Sequence, residues 1–278
     1  MTSLYTDAYG VAVSVLGYSI SKTSTSARKI AIYLPEKVSN YTLCRVKAAG
    51  WELIPVAYIP PPDGGKGVFW RFLDTYTKLR IWTLDQAPTS LKSIVYLDAD
   101  TLAVRNFDEL FDLPFTFSAS PDVYLDSRGF TMGFNSGVLA LKPDSKVFDD
   151  MLTNIYRNDY GHGDADQGFL NLYFGQQVAR LPHVYNGNLA IKGRSRRFWD
   201  AIQDQMRVIH FTLVKPFDTS PKCGKACTAE EIWDAKRVKS FMEIAKRGDF
   251  KEEIERWEAV YDEMTESLGA DHCSPADR

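Results

Sequence analysis

The sequence predicts an α/β fold with a mixed, mostly parallel sheet and a C-terminal helical extension. Apolar runs of strand length alternate with segments of helical periodicity through the first 220 residues, which is typical of a sheet covered by helices. After Pro221 the chain is rich in charged, helix-forming residues and shows no strand-like run. We therefore expect a main domain over residues 1–220 and a helical extension over residues 221–278 that packs on it.

The first 60 residues predict two helices and two strands. Apolar residues recur at helical spacing from Ala8 onward, and the apolar run 29–34 predicts the first strand. A helix is expected from Pro35 to Gly50. Proline is tolerated in the first turn of a helix, and glycine commonly ends one. Residues 51–58 predict the second strand.

Residues 60–67 predict a loop, because prolines remove backbone donors and glycines free the backbone. Residues 72–82 show helical spacing. Residues 92–97 form a nearly continuous apolar run, which is typical of a strand buried on both faces. Further strands are predicted at residues 115–120, 134–141, 178–181 and 207–211.

An apolar stripe marks the last predicted helix. We expect it to pack on the main domain, because the three to four full heptads of a coiled coil are not present. A dimer seam is the alternative. The stripe consists of Phe250, Ile254, Trp257, Tyr261, Met264 and Leu268.

The charge balance argues against binding to charged polymers. The 278 residues include 33 basic and 36 acidic ones, and the formal charge of −3 gives no broad attraction to nucleic acid or to an anionic membrane. No stretch reaches the roughly 18 apolar residues of a membrane span. We expect a cytoplasmic protein.

The four cysteines are too few and too scattered for a disulfide scaffold, so we expect reduced thiols. Cys223 and Cys227 lie four residues apart without a second Cys or His pair nearby. A turn with incidental cysteines is the favoured interpretation, and a disulfide or metal clip is the alternative. The other two cysteines are Cys44 and Cys273.

Asp98 and Asp100 follow the predicted strand 92–97 and form the main candidate site. Side chains two apart at a strand end point the same way, into the crevice where α/β sheets bind ligands. Two close carboxylates repel unless a cation lies between them, and their oxygens suit Mg²⁺ or Mn²⁺. Such a cation would neutralise a departing pyrophosphate.

A phosphatase of the haloacid dehalogenase type is the main competing interpretation, because its first motif is also an apolar strand followed by Asp-x-Asp. That motif requires Thr or Val two positions after its second Asp. Here Leu102 occupies that position and Thr101 lies one place early. The match is out of register.

Further polar residues follow in order along the chain. Asn135 and Ser136 precede an apolar run, and Asp164, Asp166 and Gln167 open a predicted helix. Helix capping explains either acid by itself, although it does not explain the whole series.

His210 and Lys215 stand at the end of the predicted strand 207–211. A lone histidine is usually structural, but one beside a carboxylate site can supply a third metal ligand. A lysine at the same place can contact phosphate as a point charge.

Together these segments resemble glycosyltransferase family 8, the family of glycogenin and galactinol synthase. The resemblance implies a GT-A fold, a UDP-sugar donor, Mn²⁺ with Mg²⁺ as the alternative, and transfer with retention of anomeric configuration. A homodimer follows only as a family tendency. The resemblance extends from residue 4 to residue 217 and lies in residues 6–9, 76–79, 96–102, 134–138, 166–171 and 210–216.

The resemblance also implies roles for individual residues. Asp98, Asp100 and His210 would hold the metal, and Tyr9 would stack on uracil. Lys78 and Lys215 would neutralise phosphate or contact the donor, and Asn135, Asp166 and Gln167 would surround the transferred sugar. Asp166, with Gln167 beside it, would stabilise the oxocarbenium-like centre or act as nucleophile, and front-side attack is the alternative. The implied donor site comprises Leu4, Thr6, Tyr9, Lys78, Asp98, Ala99, Asp100, Asn135, Ser136, Asp164, Asp166, Gln167, His210 and Lys215.

The acceptor is not identified. Glycogenin glucosylates a tyrosine downstream of the dipeptide seen here as Tyr185-Asn186, but residues 188–199 contain no tyrosine, so self-glucosylation there is not expected. We expect a retaining hexosyltransferase, and the alternatives are a nucleotide-sugar-binding protein without transfer or, less favoured, the phosphatase. A basic cluster is expected to be a solvated face, with attraction of an anionic acceptor as the alternative. It comprises Lys192, Arg194, Arg196 and Arg197.

Overall fold

Strands and helices alternate along most of the chain. The structure, a computed structural model, describes residues 1–157, 159–218, 227–269 and 273. The strands are β1 (Thr2–Leu4), β2 (Ile30–Tyr33), β3 (Glu52–Pro55), β4 (Ile94–Leu97), β5 (Thr101–Ala103), β6 (Phe117–Val123), β7 (Phe130–Leu141), β8 (Ala179–Arg180), β9 (Gly187–Asn188) and β10 (Val208–His210). The helices are α1 (Gly10–Ser21), α2 (Asn40–Ala48), α3 (Ser145–Asn154), α4 (Ala165–Phe174), α5 (Leu189–Arg194), α6 (Arg196–Ile202), α7 (Ala229–Trp233), α8 (Ala235–Ala245) and α9 (Lys251–Leu268).

The sheet topology is mixed, as the sequence predicts. Parallel strands in the order β1-β2-β3 form one group, β4-β7-β6-β8 form a second, and β5-β10-β9 form a third. The Met1 nitrogen donates to the Val95 carbonyl at 2.7 Å, and the Leu97 amide donates to the Met1 carbonyl at 2.9 Å, which joins the first two groups. Among the described helices, none is both long and apolar enough to cross a bilayer.

β4 is the buried strand that the apolar run 92–97 predicts. All four of its side chains are buried, and it pairs antiparallel with the long strand β7. Tyr96 lies in one core cluster, whereas Val95 and Leu97 on the opposite face lie in another. Because both faces are covered, the position of Asp98 at the strand end is fixed.

The predicted helix 72–82 is a 3₁₀ helix that spans Thr75–Asp85. With three residues per turn, side chains three apart lie in one line. Lys78, Ile81 and Leu84 follow this spacing, and all three are buried. Because a 3₁₀ helix has three residues per turn, Lys78 points into the interior on the same face as Ile81 and Leu84.

The last helix packs its apolar stripe into the core. Ile254, Trp257, Tyr261 and Met264 are buried in one cluster with α1 residues such as Val11. An ion pair supports this contact, because the Lys192 ammonium of α5 lies 2.8 Å from both carboxylate oxygens of Glu253.

The expectation of a solvated basic face is therefore wrong for Lys192, whose side chain is buried against α9. Its neighbours Arg194, Arg196 and Arg197 are exposed. The predicted domain boundary between residues 220 and 221 falls outside the described residues.

The expectation of reduced thiols is wrong for the described cysteines. Cys44 of α2 and Cys273 form a disulfide with a Cα–Cα distance of 5.8 Å, and Cys227 is also disulfide-bonded. Cys223 lies outside the described residues. The Cys44–Cys273 bond joins positions 229 residues apart in sequence, and only the fold brings them together.

Replacement of Cys44 by alanine should lower the free energy of unfolding by about 2–5 kcal/mol, because the cross-link restricts the unfolded chain. Urea denaturation without reductant measures the change. Cys273→Ala and the double variant should show the same loss, since all three lack one bond. Additive losses, or a Cys44→Ala variant as stable as the wild type, would contradict the disulfide.

Candidate functional site

Three metal-ligand side chains meet at the end of β4. Asp98 directly follows β4, Asp100 precedes β5, and His210 is the last residue of β10, which pairs antiparallel with β5. The Phe211 amide donates to the Asp100 carbonyl at 2.9 Å, so the backbone itself holds the two segments together. The fold thus assembles the predicted set from two distant parts of the chain.

The geometry of this set suits a divalent cation. One ligand atom from each of Asp98, Asp100 and His210 lies within 4.8 Å of the others, and His210 Nε2 is 3.3 Å from Asp100 Oδ1. His210 Nδ1 donates to Asn186 Oδ1 at 3.0 Å, which leaves Nε2 facing the carboxylate. Oxygen and imidazole donors fit Mn²⁺ and Mg²⁺, and so the residues present fit the implied metal.

Gly137 is required for His210 to reach this position. A Cβ at residue 137 would lie 2.2 Å from the His210 ring, far inside contact distance. Gly137 also donates its amide to Asn135 Oδ1 at 3.0 Å. The glycine after Asn135-Ser136 in the sequence therefore makes room for the imidazole.

Lys215 contacts the same site. Its ammonium donates to a carboxylate oxygen of Asp100 and to the Phe211 carbonyl. Burial alone would raise the pKa of Asp100, but the Lys215 ammonium and the hydrogen bond from the His210 ring lower that pKa far below its ordinary value. Asp100 is therefore ionised. An anion bound beside Asp98, Asp100 and His210 would also meet the Lys215 ammonium.

Lys78 joins the metal set to a second group of residues. Its buried ammonium lies 3.1 Å from Asp98 Oδ1, 2.7 Å from Asp166 Oδ2 and 3.1 Å from the Ser136 carbonyl. Burial alone would lower the pKa of Lys78, but Asp166 and Asp98 raise that pKa above its ordinary value. Lys78 thus remains charged and bridges two carboxylates.

Asp166 lies at the start of α4, directly after a strained residue. Ala165 is buried and has φ +51° and ψ −135°, a region that residues other than glycine rarely adopt. Such strain costs about 1–3 kcal/mol and is typical of functional sites. Asp166 Oδ2 also accepts from the Ser136 hydroxyl at 3.0 Å. Its carboxylate is therefore held from two sides.

The Gln167 amide is fully used by protein partners. Its Oε1 accepts from Asn135 Nδ2 and from the Ser136 amide, both at 3.1 Å. Its Nε2 donates to Asp122 Oδ2 at 2.8 Å and to the Tyr124 hydroxyl at 3.3 Å. This amide is fixed in orientation next to Asp166.

Asp122 is a site residue that the sequence prediction missed. It is buried, and in the described part of the chain its side chain accepts from amides: Asn135 at 3.3 Å, Asn188 at 3.4 Å and Gln167. It forms no ion pair with a described residue. The signal was present, because Asp122 follows the predicted strand 115–120 much as Asp98 follows the strand 92–97.

The candidate uracil-binding residues stand before α1. The Tyr9 ring packs edge-on against Phe217 with centroids 5.6 Å apart, and burial together with the Asp100 charge raises the pKa of Tyr9. The Thr6 carbonyl accepts from the Tyr9 amide. Leu4, in contrast, has its side chain in the core, which leaves only its backbone for a ligand.

Two other residues of the predicted donor site, Asp164 and Ala99, make no side-chain hydrogen bond to the rest of the described site. Asp164 is exposed and makes no side-chain capping bond to α4. Ala99 is buried in the core between Asp98 and Asp100. The structure therefore brings most of the predicted set together, in three connected groups around the metal ligands, around Lys78 and around Gln167.

Comparison with known proteins gives the family. Residues 3–219 match the family described as glycosyl transferase family 8. Glycogenin of Neurospora crassa is 29% identical over 262 residues, which cover 93% of this chain and 34% of that protein. Inositol phosphorylceramide glucuronosyltransferase 1 of Arabidopsis thaliana is 28% identical over 242 residues, which cover 78% of this chain and 42% of that protein. The chain thus spans less than half the length of these two relatives.

Solved structures give the same fold at lower identity. An active-site mutant of LgtC superposes with a TM-score of 0.57 at 20% identity, covering 88% of this chain and 96% of that one. GlyE of Streptococcus pneumoniae superposes with a TM-score of 0.55 at 16% identity, covering 96% of this chain and 63% of that one. These neighbours are glycosyltransferases of the GT-A fold, and the fold implied by the sequence is confirmed. With the family match over residues 3–219, the chain belongs to glycosyltransferase family 8.

Proposed function

We propose that this glycosyltransferase transfers a hexosyl group from a UDP-sugar to an acceptor, with Mn²⁺ and with retention of anomeric configuration. One observation carries the proposal: Lys78 contacts Asp98 of the candidate metal set and Asp166 beside Gln167. A cation site and a fixed carboxylate–amide pair are therefore joined by one residue. A nucleotide diphosphate with its sugar would fit such an arrangement.

In this proposal Asp98, Asp100 and His210 would hold Mn²⁺ or Mg²⁺, and the cation would supply positive charge for the diphosphate leaving group. Lys215 exchanges part of its contact with Asp100 for a phosphate oxygen. Asp166 presents a carboxylate to the anomeric centre, and the Lys78 ammonium 2.7 Å away holds that carboxylate in position. Tyr9 lines the base end of the same site.

The donor and acceptor are proposed by class. The Neurospora relative is named glycogenin, and the Arabidopsis relative is named a glucuronosyltransferase. We therefore include UDP-glucuronate in the donor panel beside UDP-glucose, UDP-galactose and UDP-N-acetylglucosamine. LgtC has been crystallised with donor and acceptor sugar analogues, which supports a two-substrate site. A homodimer stays a proposal.

Two alternatives make different predictions. A nucleotide-sugar-binding protein would bind UDP-sugar without hydrolysis or transfer. A phosphatase would turn over a simple phosphate ester through a phosphoaspartate, and neither the family match nor the fold neighbours support it.

Cytoplasmic localisation also stays a proposal, and the disulfide between Cys44 and Cys273 counts against it. Stable disulfides are typical of oxidising compartments.

Incubation with the four UDP-sugars should release UDP only when Mn²⁺ is present. EDTA and Asp100→Ala should each abolish release, because the diphosphate loses its counter-charge. The exposed variant Asp249→Ala serves as the control and should remain active. NMR of the product reports the anomeric configuration. Release that is indifferent to EDTA and to Asp100→Ala would refute the proposal.

Gly137→Ala should weaken Mn²⁺ binding by about 10–100-fold, because the new Cβ displaces the His210 ring. Titration calorimetry with Mn²⁺ measures the effect. Gly248→Ala is the matched control, since its Cβ would meet nothing within 4 Å. Unchanged Mn²⁺ affinity in a folded Gly137→Ala protein would exclude His210 as a ligand.

Asp122→Asn should lower the turnover number at least about tenfold, with a smaller effect on Mn²⁺ affinity. An asparagine retains the shape but can turn an NH₂ group toward the Gln167 amide, which then loses its orientation. Steady-state UDP release measures the turnover number, and Asp249→Asn is the control. If turnover is unchanged, Asp122 does not orient Gln167 in catalysis.

A further inference from the structure

The tip of the β6–β7 hairpin, residues 124–132, exposes large apolar side chains. Leu125 and Phe130 are about half exposed, and Met132 is 84% exposed. Phe130 and Met132 are two apart on β7, in a stretch where the pairing with β6 is irregular, and both side chains are exposed. Neighbouring apolar side chains left in water mark an interaction site.

Arginines surround these apolar side chains. The Arg180 guanidinium donates to the Met132 carbonyl, and Arg194 donates to the carbonyls of Leu125 and Asp126, each at 3.3 Å. Arg197 precedes Phe198, whose ring packs edge-on against Phe130. Arg180, Arg194 and Arg197 form no ion pair with any described residue.

The local charge is therefore positive, although the whole chain has a formal charge of −3. Arg128 of the same hairpin is paired with Asp126 at 2.6 Å, so those two charges cancel. The Asp164 carboxylate also acts on Tyr124 and Arg128, so the other three arginines outnumber the one remaining acid beside the apolar tip. The charge balance of the full sequence conceals this patch.

The tip is held in place before any partner arrives. The Arg128 guanidinium lies 3.5 Å from the centroid of the Tyr124 ring, and the Tyr124 hydroxyl contacts Gln167. The Phe130 ring rests against His183 and Phe198. A preorganised surface loses little conformational entropy on binding.

We propose that the hairpin tip docks on an anionic lipid bilayer. Phe130 and Met132 would enter the boundary between headgroups and acyl chains, and Arg180, Arg194 and Arg197 would meet the phosphates. An acidic protein would satisfy the arginines but would leave the prominent Met132 without a function. The combination of apolar side chains and arginines favours the bilayer.

Docking would place the sugar site at the membrane surface, because Tyr124 connects the hairpin to Gln167. If the proposed transferase activity is correct, the acceptor is then a lipid or a molecule held at a lipid surface. This second step rests on the proposed function. The docking itself does not.

Sedimentation of the full chain with vesicles tests the docking without donor or metal. We expect binding to phosphatidylcholine vesicles that contain phosphatidylserine, weaker binding to phosphatidylcholine alone, and partial release by high salt. Phe130→Ser/Met132→Ser should weaken binding at least about tenfold, because apolar burial is lost. Arg180→Glu/Arg197→Glu should weaken it by about fivefold or more for each arginine.

Ile244→Ser is the matched control, since Ile244 is an exposed apolar residue of α8 outside the hairpin. It should bind vesicles like the wild type. The hairpin variants should keep their UDP release in solution, which separates failure of docking from failure of the transferase proposal. No vesicle binding by the wild type, equal binding by the hairpin variants, or capture of an acidic peptide without vesicle binding would each overturn the proposal.

Discussion

The buried ammonium of Lys78 is the interaction on which the site depends. It neutralises Asp98 and Asp166, which reach it from the end of β4 and from the start of α4. Removing one partner of such a buried group typically costs about 3–5 kcal/mol, because the remaining charges stay uncompensated. The geometry of the candidate metal set and that of the Asp166–Gln167 pair are therefore set by one cation. These two contacts also explain why Lys78 can be buried in the 3₁₀ helix Thr75–Asp85: its charge is compensated inside the protein.

A chain of uncharged amides provides a second connection between His210 of the candidate metal set and Gln167. Gln167 accepts from Asn135, Asn135 accepts from Asn186, and Asn186 accepts from His210. Each side-chain amide has an oxygen that accepts and an NH₂ group that donates. Turning one amide by 180° would therefore place donor against donor and acceptor against acceptor. The histidine tautomer at the metal set is thus linked to the orientation of the glutamine. Buried polar networks of this kind specify a single arrangement when every member is satisfied.

Local sequence patterns mark part of the candidate site. Asp98 and Asp100 at the end of an apolar strand, and Asp166 and Gln167 at the start of a helix, follow from backbone periodicity. Asp122 was missed although it follows a predicted strand, because it stands alone there and its partners are amides from distant segments. Lys192 was mistaken for a solvated residue, because Glu253 reaches it only when α9 docks on α5.

The bond between Cys44 and Cys273 turns most of the polypeptide into a covalent ring. A protease that cuts one peptide bond anywhere inside this ring produces two fragments that stay attached. Such a nicked molecule would migrate near the mass of the intact chain on a gel run without reductant and would separate into fragments only after reduction. Limited proteolysis of this protein would therefore reveal cleavage between residues 44 and 273 only under reducing conditions.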